Sequence, residues 1–249
     1  MGTQHKHGFT IIEVVLFLGV SGLMVFGILA GTGTAINQQR YRDSVTTLMS
    51  HLQGQYNEVA NVNNARTGEW NCNSSTAAIR TDAPEEGGAA RGATDCAVAG
   101  KYIQFSGEEV IAQTVIAKNV RFDDNILSDV EALKQSNLII STIDQTTYAP
   151  EWDTRLVQSA TDDSPVQMYM LIVRSPLTGS IRTFISFEAP GQLSSSLVDI
   201  ESLITEENLR RGASFCLSPE GFTLGARSQI SIEANNAVAS GITMKGCEA

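Results

Sequence analysis

Histidines and adjacent carboxylates are the residues of this chain that could do acid–base or metal chemistry. His5 and His7 precede a long apolar run and His51 follows it, so a histidine-based catalytic triad would have a single candidate base. The aspartate pairs at 123–124 and 162–163 do not fit the D-x-[DN]-x-[DN]-G pattern of a calcium loop, and such pairs are typical of surface turns. No glycine-rich phosphate-binding motif occurs in the sequence. We therefore predict a protein that is not an enzyme and that uses no cofactor or metal.

A single acid inside a long apolar segment indicates more about function than these histidines and aspartates do. Residues 9–31 read FTIIEVVLFLGVSGLMVFGILAG and contain one charge, Glu13. About twenty apolar helical residues match a hydrocarbon core of roughly 30 Å, so this segment is predicted to span a membrane. Lys6 precedes it and the next basic residue is Arg40, which predicts a cytoplasmic N-terminus and an exported body. A carboxylate inside the bilayer costs roughly 2.5–3.5 kcal/mol, so Glu13 either lies near the head groups or needs a cation.

The residues around Glu13 follow the pattern of a known leader. The sequence Lys6-His7-Gly8-Phe9-Thr10-Ile11-Ile12-Glu13, directly before the apolar run, resembles the leader of type IV prepilins and type II secretion pseudopilins. In that family a prepilin peptidase cuts after the glycine and methylates the new N-terminus. The resemblance therefore implies that residues 1–8 are removed, between Gly8 and Phe9. It also implies that Glu13 pairs with the N-terminal amine of a neighbouring pilin or pseudopilin subunit in the growing filament. The partners that it implies include an assembly platform in the inner membrane.

An ordinary secretory signal is the alternative explanation for the same segment. Its small-residue cleavage site would lie near residues 33–35. However, the apolar stretch is longer than the usual 7 to 15 residues, and it has an acid near its start. Both features favour the prepilin interpretation.

The helix is predicted to continue beyond the membrane. No proline interrupts residues 9–60, and after residue 36 apolar residues recur every three or four positions on one face. This pattern predicts a stem with a membrane-spanning half, residues 9–31, and an amphipathic half, residues 32–60. The residues of the apolar stripe are Tyr41, Val45, Leu48, Leu52, Tyr56 and Val59.

The rest of the chain is predicted to form a loop region and a mainly β head. Residues 61–100 are rich in Asn, Thr, Ala and Gly, whereas residues 101–249 contain short β-branched and aromatic runs. The predicted fold class is α+β, with the long N-terminal helix packed on an antiparallel sheet as in the pilin plan that the resemblance implies. One surface helix is expected within residues 195–209. Strands are expected at 102–105, 110–117, 138–143, 166–173, 181–187, 214–217, 229–232 and 242–244.

Cys72, Cys96, Cys216 and Cys247 all lie in the part predicted to be exported. Four cysteines permit three connectivities, and an oxidising compartment favours disulfides. Among the three we predict pairing of neighbours, Cys72 with Cys96 and Cys216 with Cys247. Zinc is disfavoured because no C-x-x-C occurs and this part has a single histidine. Residues 215–221, followed by a cysteine near the C-terminus, are similar more loosely to the end of H-type minor pseudopilins.

Charge and composition reduce the number of functions that the chain could have. The chain has 27 acidic and 17 basic residues, a net charge of -10, which disfavours nucleic acid as a partner although Arg210, Arg211, Arg227 and Lys245 form a sparse basic set. Two functions remain. One is a minor pilin or pseudopilin that moves from the cytoplasmic membrane into an extracellular or periplasmic filament. The other is an adhesin-like head displayed on a pilin stem, with residues 61–100 as the contact region.

Overall fold

The computed structural model describes residues 10–61, 71–72, 79–80, 97–117, 128–194, 197–219 and 227–247 of the 249-residue chain. The chain divides into two compact units, Met1–Asp43 and Ser44–Ala249. Within the described ranges there are three α-helices: α1 (Ile11–Ala60), α2 (Asp129–Gln135) and α3 (Glu206–Leu209). The strands are β1 (Asn71–Cys72), β2 (Ile79–Arg80), β3 (Ala97–Phe105), β4 (Val110–Ala117), β5 (Leu138–Tyr148), β6 (Thr154–Val157), β7 (Met168–Arg174), β8 (Ile181–Ser186), β9 (Gln192–Ser194), β10 (Leu197–Val198), β11 (Ala213–Pro219), β12 (Ser228–Ile232) and β13 (Ile242–Gly246), and two 3₁₀ turns cover Ile200–Leu203 and Ala239–Gly241.

Helix α1 confirms the prediction of one continuous helix, with 50 residues from Ile11 to Ala60. Its last third belongs to the second unit and packs there by one face. The predicted stripe is confirmed, because its side chains in this unit are at most 4% exposed. They are Val45, Leu48, Leu52, Tyr56 and Val59.

The main sheet of the second unit has five antiparallel strands in the order β5-β4-β3-β7-β8. Both of its faces are covered, as the two-residue period of the strands allows. On one face, Tyr102, Leu171 and Phe184 pack in a core with α2 and the Ile200–Leu203 turn. On the other face, the Tyr56 hydroxyl of α1 contacts the side chains of Met170 and Thr183. Strands β7 and β8 pair as an antiparallel hairpin.

A second antiparallel sheet, β13-β12-β11-β6, corrects the expectation of a single sheet in the head. The Phe105 and Phe215 rings, one from each sheet, lie 5.5 Å apart between centroids. Strand length and composition could not distinguish one sheet from two, because pairing depends on contacts between strands far apart in sequence. Strand β6 and helix α2 were not predicted either.

The expectation of one surface helix within residues 195–209 is met only by the four-residue α3, Glu206–Leu209. The described part of this stretch contains β10, a 3₁₀ turn and the four-residue α3. Two capping side chains divide it: Asp199 accepts from the backbone N–H of Ser202 and Thr205 from that of Asn208. The apolar residues are core rather than surface, since Ile200, Leu203 and Ile204 are all buried.

The loop predicted for residues 61–100 is shorter in the structure, because its last residues belong to a strand. Strand β3 begins at Ala97, five residues before the predicted start, because residues 97–100 extend the β3 pairing with β4. Within the loop region, β1 and β2 form a short antiparallel pair with Cys72 opposite Ile79. The remainder of this region lies outside the described residues.

Candidate membrane and assembly segment

The first half of α1 carries an exposed apolar surface on all its sides. Its most apolar 18-residue window has a mean hydropathy of 2.4, and none of that window is buried. Ile11 is 86% exposed and Phe26 72%. Apolar patches on soluble monomers rarely exceed a few hundred Å², and larger ones mark contacts with membranes or proteins. The helix is therefore long and apolar enough to cross a bilayer.

Three hydroxyl side chains in this apolar segment bond to carbonyls of their own helix. Ser21 Oγ donates to the Phe17 carbonyl at 2.6 Å. Thr32 Oγ1 and Thr34 Oγ1 donate to carbonyls three residues earlier, at 3.0 and 2.9 Å. A hydroxyl that bonds to its own helix lowers the cost of placing that helix in lipid.

Glu13 lies in the first turn of this helix. Its backbone N–H donates to the Thr10 carbonyl at 3.1 Å and lies 3.4 Å from Thr10 Oγ1. A carboxylate at a helix N-terminus interacts favourably with the helix dipole. The described part of the chain provides no ion-pair partner for this carboxylate. Gly8 and Phe9 lie outside the described residues, so the processing position stays a prediction.

Five glycines occupy the same segment, and nothing in the described part of the chain packs against them. A Cβ built at Gly19, Gly22, Gly27, Gly31 or Gly33 would meet no other atom within 4 Å. Each glycine weakens the helix by about 1 kcal/mol relative to alanine. Packing among the described residues therefore does not account for them, whereas close approach of a second helix would.

Comparison of the chain with family models, with curated proteins and with solved structures found no match. Its function is therefore inferred from its own residues.

The last third of α1 is held in the second unit by polar contacts as well as by its apolar stripe. Ser44 Oγ lies 2.6 Å from Thr154 Oγ1. Tyr56 Oη lies 3.0 Å from Thr183 Oγ1, which donates in turn to the Asn236 carbonyl. Burial raises the pKa of Tyr56 to about 12, against the smaller effect of these hydrogen bonds, so the phenol stays neutral. These pairs were not predicted, because a serine or threonine carries no signal for a partner 100 residues away.

His51 lies on the same part of α1 and stacks on Tyr148. The two rings are 4.8 Å apart between centroids and 16° from parallel. His51 Nε2 and the Tyr148 hydroxyl are buried, with no hydrogen-bond partner among the described residues. Burial lowers the pKa of His51, opposed by the charge of Glu58.

One of the two predicted disulfides is present in the described residues. Cys216 in β11 is bonded to Cys247, with their Cα atoms 5.9 Å apart, which ties the end of the chain to its sheet. The pairing of Cys72 with Cys96 stays a prediction, because Cys96 lies outside the described residues.

The acidic pair at 162–163 forms a turn, as its composition indicated. Asp162 Oδ1 accepts from the Ser164 N–H at 2.9 Å. Hydrogen bonds from the side chain and then the backbone of Ser164 lower the pKa of Asp162. Asp163 pairs with Arg227 at 2.6 Å. Arg211 of the sparse basic set pairs with Glu207. The pair at 123–124 lies outside the described residues.

Proposed function

We propose that this chain is a minor pilin or pseudopilin subunit that a prepilin peptidase processes after Gly8 and that joins a type IV-type filament through α1. One observation carries the proposal: α1 is a single 50-residue helix whose first half exposes its apolar side chains while its last third is embedded in the second unit. Such a half needs cover from lipid or from other apolar helices. Lipid contacts this apolar surface while the subunit is in the bilayer, and the helices of other subunits contact it in the filament core.

Glu13 is the assembly residue of this proposal. After cleavage it becomes the fifth residue of the processed chain, and its partner is the Phe9 amine of a neighbouring subunit. Two unit charges about 4 Å apart attract by about 4 kcal/mol at an effective dielectric of 20. This attraction offsets the roughly 2.5–3.5 kcal/mol needed to place a carboxylate in the membrane. Assembly would thus remove the one unfavourable charge of the span.

The proposed topology is a single pass with the N-terminus inside and the head outside. The bond between Cys216 and Cys247 supports an oxidising location for the head, since disulfides persist mainly in exported proteins. The subunit first resides in the cytoplasmic membrane, and then in an extracellular or periplasmic filament.

Processing is tested by expressing the full chain with and without a prepilin peptidase and measuring its intact mass and N-terminal sequence. We expect a methylated Phe9 start only when the peptidase is present. Gly8→Val should block cleavage, while the control Gly2→Val, a glycine of the same leader, should be cut normally. A start near Ile36, or Met1 retained in the presence of the peptidase, would contradict the proposal.

The role of Glu13 is tested by Glu13→Gln, with Glu58→Gln as an acid-to-amide control on the same helix. We expect Glu13→Gln to insert and to be processed but to be missing from purified filaments. The control should assemble at the level of the parent chain. Normal incorporation of Glu13→Gln would exclude the charge pairing.

A further inference from the structure

The structure leaves part of one face of the five-stranded sheet open. Near one end of the strands this face is the core in which Tyr102, Leu171 and Phe184 pack with α2 and the Ile200–Leu203 turn. Toward the other end no described element covers it, and its side chains are half-buried or exposed even on the inner strands β3, β4 and β7. We call this part the open half-face. Its residues are Gln104, Ile111, Gln113, Gln145, Thr147 and Tyr169.

Strand register places these side chains on the same face in two neighbouring rows. One row consists, from β5 to β7, of Thr147, Ile111, Gln104 and Tyr169. The other row holds Gln113 and Gln145, and it leads into Tyr102 of the core. Neighbouring strands lie about 4.8 Å apart and rows two residues apart are separated by about 7 Å, so the open half-face measures roughly 14 by 7 Å between backbone positions.

The open half-face is polar but uncharged. None of its six side chains carries a charge at neutral pH, although the chain has 27 acidic and 17 basic residues. A charged ligand would therefore find no opposite charge among them. Gln113 Nε2 donates to Gln145 Oε1 at 3.4 Å, which leaves the other half of each amide available. The side chain of Gln104 has no hydrogen-bond partner among the described residues.

The size of the open half-face indicates a small ligand. With the side chains at its margin it covers on the order of 200 Å². A stable protein interface buries about 800 Å² on each partner. A second copy of this chain would thus need contacts far beyond these two rows, whereas a narrow chain molecule would not.

We propose that the open half-face binds a neutral oligosaccharide. Sugar hydroxyls both donate and accept hydrogen bonds, as the amides of Gln104, Gln113 and Gln145 do. A sugar ring also has an apolar face of C–H groups, which packs on an aromatic ring such as that of Tyr169. The row of side chains across four strands matches the length of such a ligand. The site lies within the second unit, so the inference goes beyond the proposed function and does not depend on membrane insertion or assembly.

The experiment uses the full chain in lauryldimethylamine oxide, a detergent that contains no sugar. Cellohexaose, maltohexaose and chitohexaose are the neutral probes, and hexagalacturonate is an anionic probe of the same length. Calorimetric titration should show saturable binding of at least one neutral probe and none of the anionic one. Gln104→Leu and Tyr169→Leu should each weaken that binding about tenfold, since each removes one or two contacts. The control Gln158→Leu, an exposed glutamine after β6, should leave it unchanged.

A second measurement needs no substitution in the site. In the parent chain with ¹⁵N-labelled glutamine, the bound sugar should shift the side-chain amide resonances of Gln104, Gln113 and Gln145. The resonance of Gln158 should not move. This readout decides the inference even where a leucine variant fails to fold.

Four results would overturn the inference. They are the absence of binding by all three neutral probes, equal binding of hexagalacturonate, sugar binding that leaves the three amide resonances in place, and a dimer that shifts these resonances without sugar. The last result would assign the open half-face to a second copy of the chain. None of them bears on processing after Gly8 or on the role of Glu13, so the proposed function would stand.

Discussion

At the residue scale, Asp129 links α2 to the β7–β8 hairpin. Its carboxylate accepts from the hydroxyls of Ser175, Thr178 and Ser180 and forms an ion pair with Arg182 at 2.6 Å. Burial raises the pKa of Asp129, but the hydrogen bonds from Ser175, Arg182 and Thr178 and the charge of Arg182 outweigh it, so the pKa is lowered. The aspartate is therefore stabilised in its charged form.

We expect Asp129→Asn to lower the free energy of unfolding by about 1.5–3 kcal/mol at pH 7, because hydrogen bonds to a charged group are lost. The folded pKa lies below the ordinary value of 3.8, so this contribution is present above that pH and is lost as the pH falls through the folded pKa. Urea unfolding at pH 7 and pH 3 measures both values. The exposed Glu108→Gln is the control and should change neither; an equal loss at both pH values for Asp129→Asn would contradict the charge argument.

His51 predicts a second pH dependence nearer neutrality. Its folded pKa lies below the ordinary value of 6.5, so the unfolded chain binds a proton first as the pH falls. Stability is therefore full above about pH 6.5 and decreases from there toward the folded pKa. We expect His51→Phe, which keeps a ring against Tyr148, to flatten the unfolding free energy between pH 7 and pH 5. Tyr148→Phe should leave that slope unchanged, and a slope that survives His51→Phe would assign it to another group.

At the scale of elements, α1 combines two kinds of helix surface in one segment. Leu18 is 63% exposed in the first unit, and Leu48 is fully buried in the second. Both were predicted from periodicity and hydropathy, because these are local properties of the sequence. In contrast, residues 195–209 have helical apolar spacing but form separate turns, since the side chains of Asp199 and Thr205 start new turns by capping.

The two leucines allow a matched test on one helix. Leu48→Ala should lower the free energy of unfolding of the detergent-solubilised chain by about 2–5 kcal/mol, because it leaves a cavity in a packed core. Leu18→Ala removes the same atoms from an exposed site and should change that value by less than about 0.5 kcal/mol. Equal effects of the two substitutions would show that the last third of α1 is not part of the core.

At the scale of the whole molecule, the boundary between the two units separates the apolar half of α1 from the part that the head requires. We expect a chain beginning at Ser44 to be folded and monodisperse without detergent, with the urea midpoint of the full chain. A chain beginning at Asn61 lacks, among others, the five buried stripe side chains of the second unit, each contributing about 1.5–3 kcal/mol, or about 8–15 kcal/mol together. This sum is comparable to the whole stability of a domain, so we expect no cooperative transition. Circular dichroism during urea unfolding measures both.

A cooperative transition for the chain beginning at Asn61 would mean that the head folds without α1. Aggregation of the chain beginning at Ser44 would place part of its apolar surface outside the first unit. Either result would contradict the assignment of the exposed apolar side chains to the first half of α1 and of the core side chains to its last third.

The sequence by itself determined the features that depend on neighbours along the chain. Hydropathy and a 3.6-residue period are local, so they were sufficient for the length of α1 and its buried stripe. Runs of β-branched residues likewise located most of the main strands, and proximity along the chain indicated the bond between Cys216 and Cys247. The fold class α+β followed from these elements.

Only the tertiary structure decided how these elements combine. The division into two sheets, the order of their strands and the contacts of Asp129 join residues that lie tens of positions apart. Their free energy depends on packing and desolvation that no local pattern encodes. The same holds for the contact between Ser44 and Thr154, which joins residues 110 positions apart. Long-range contacts, not local propensity, hold the last third of α1 in the head.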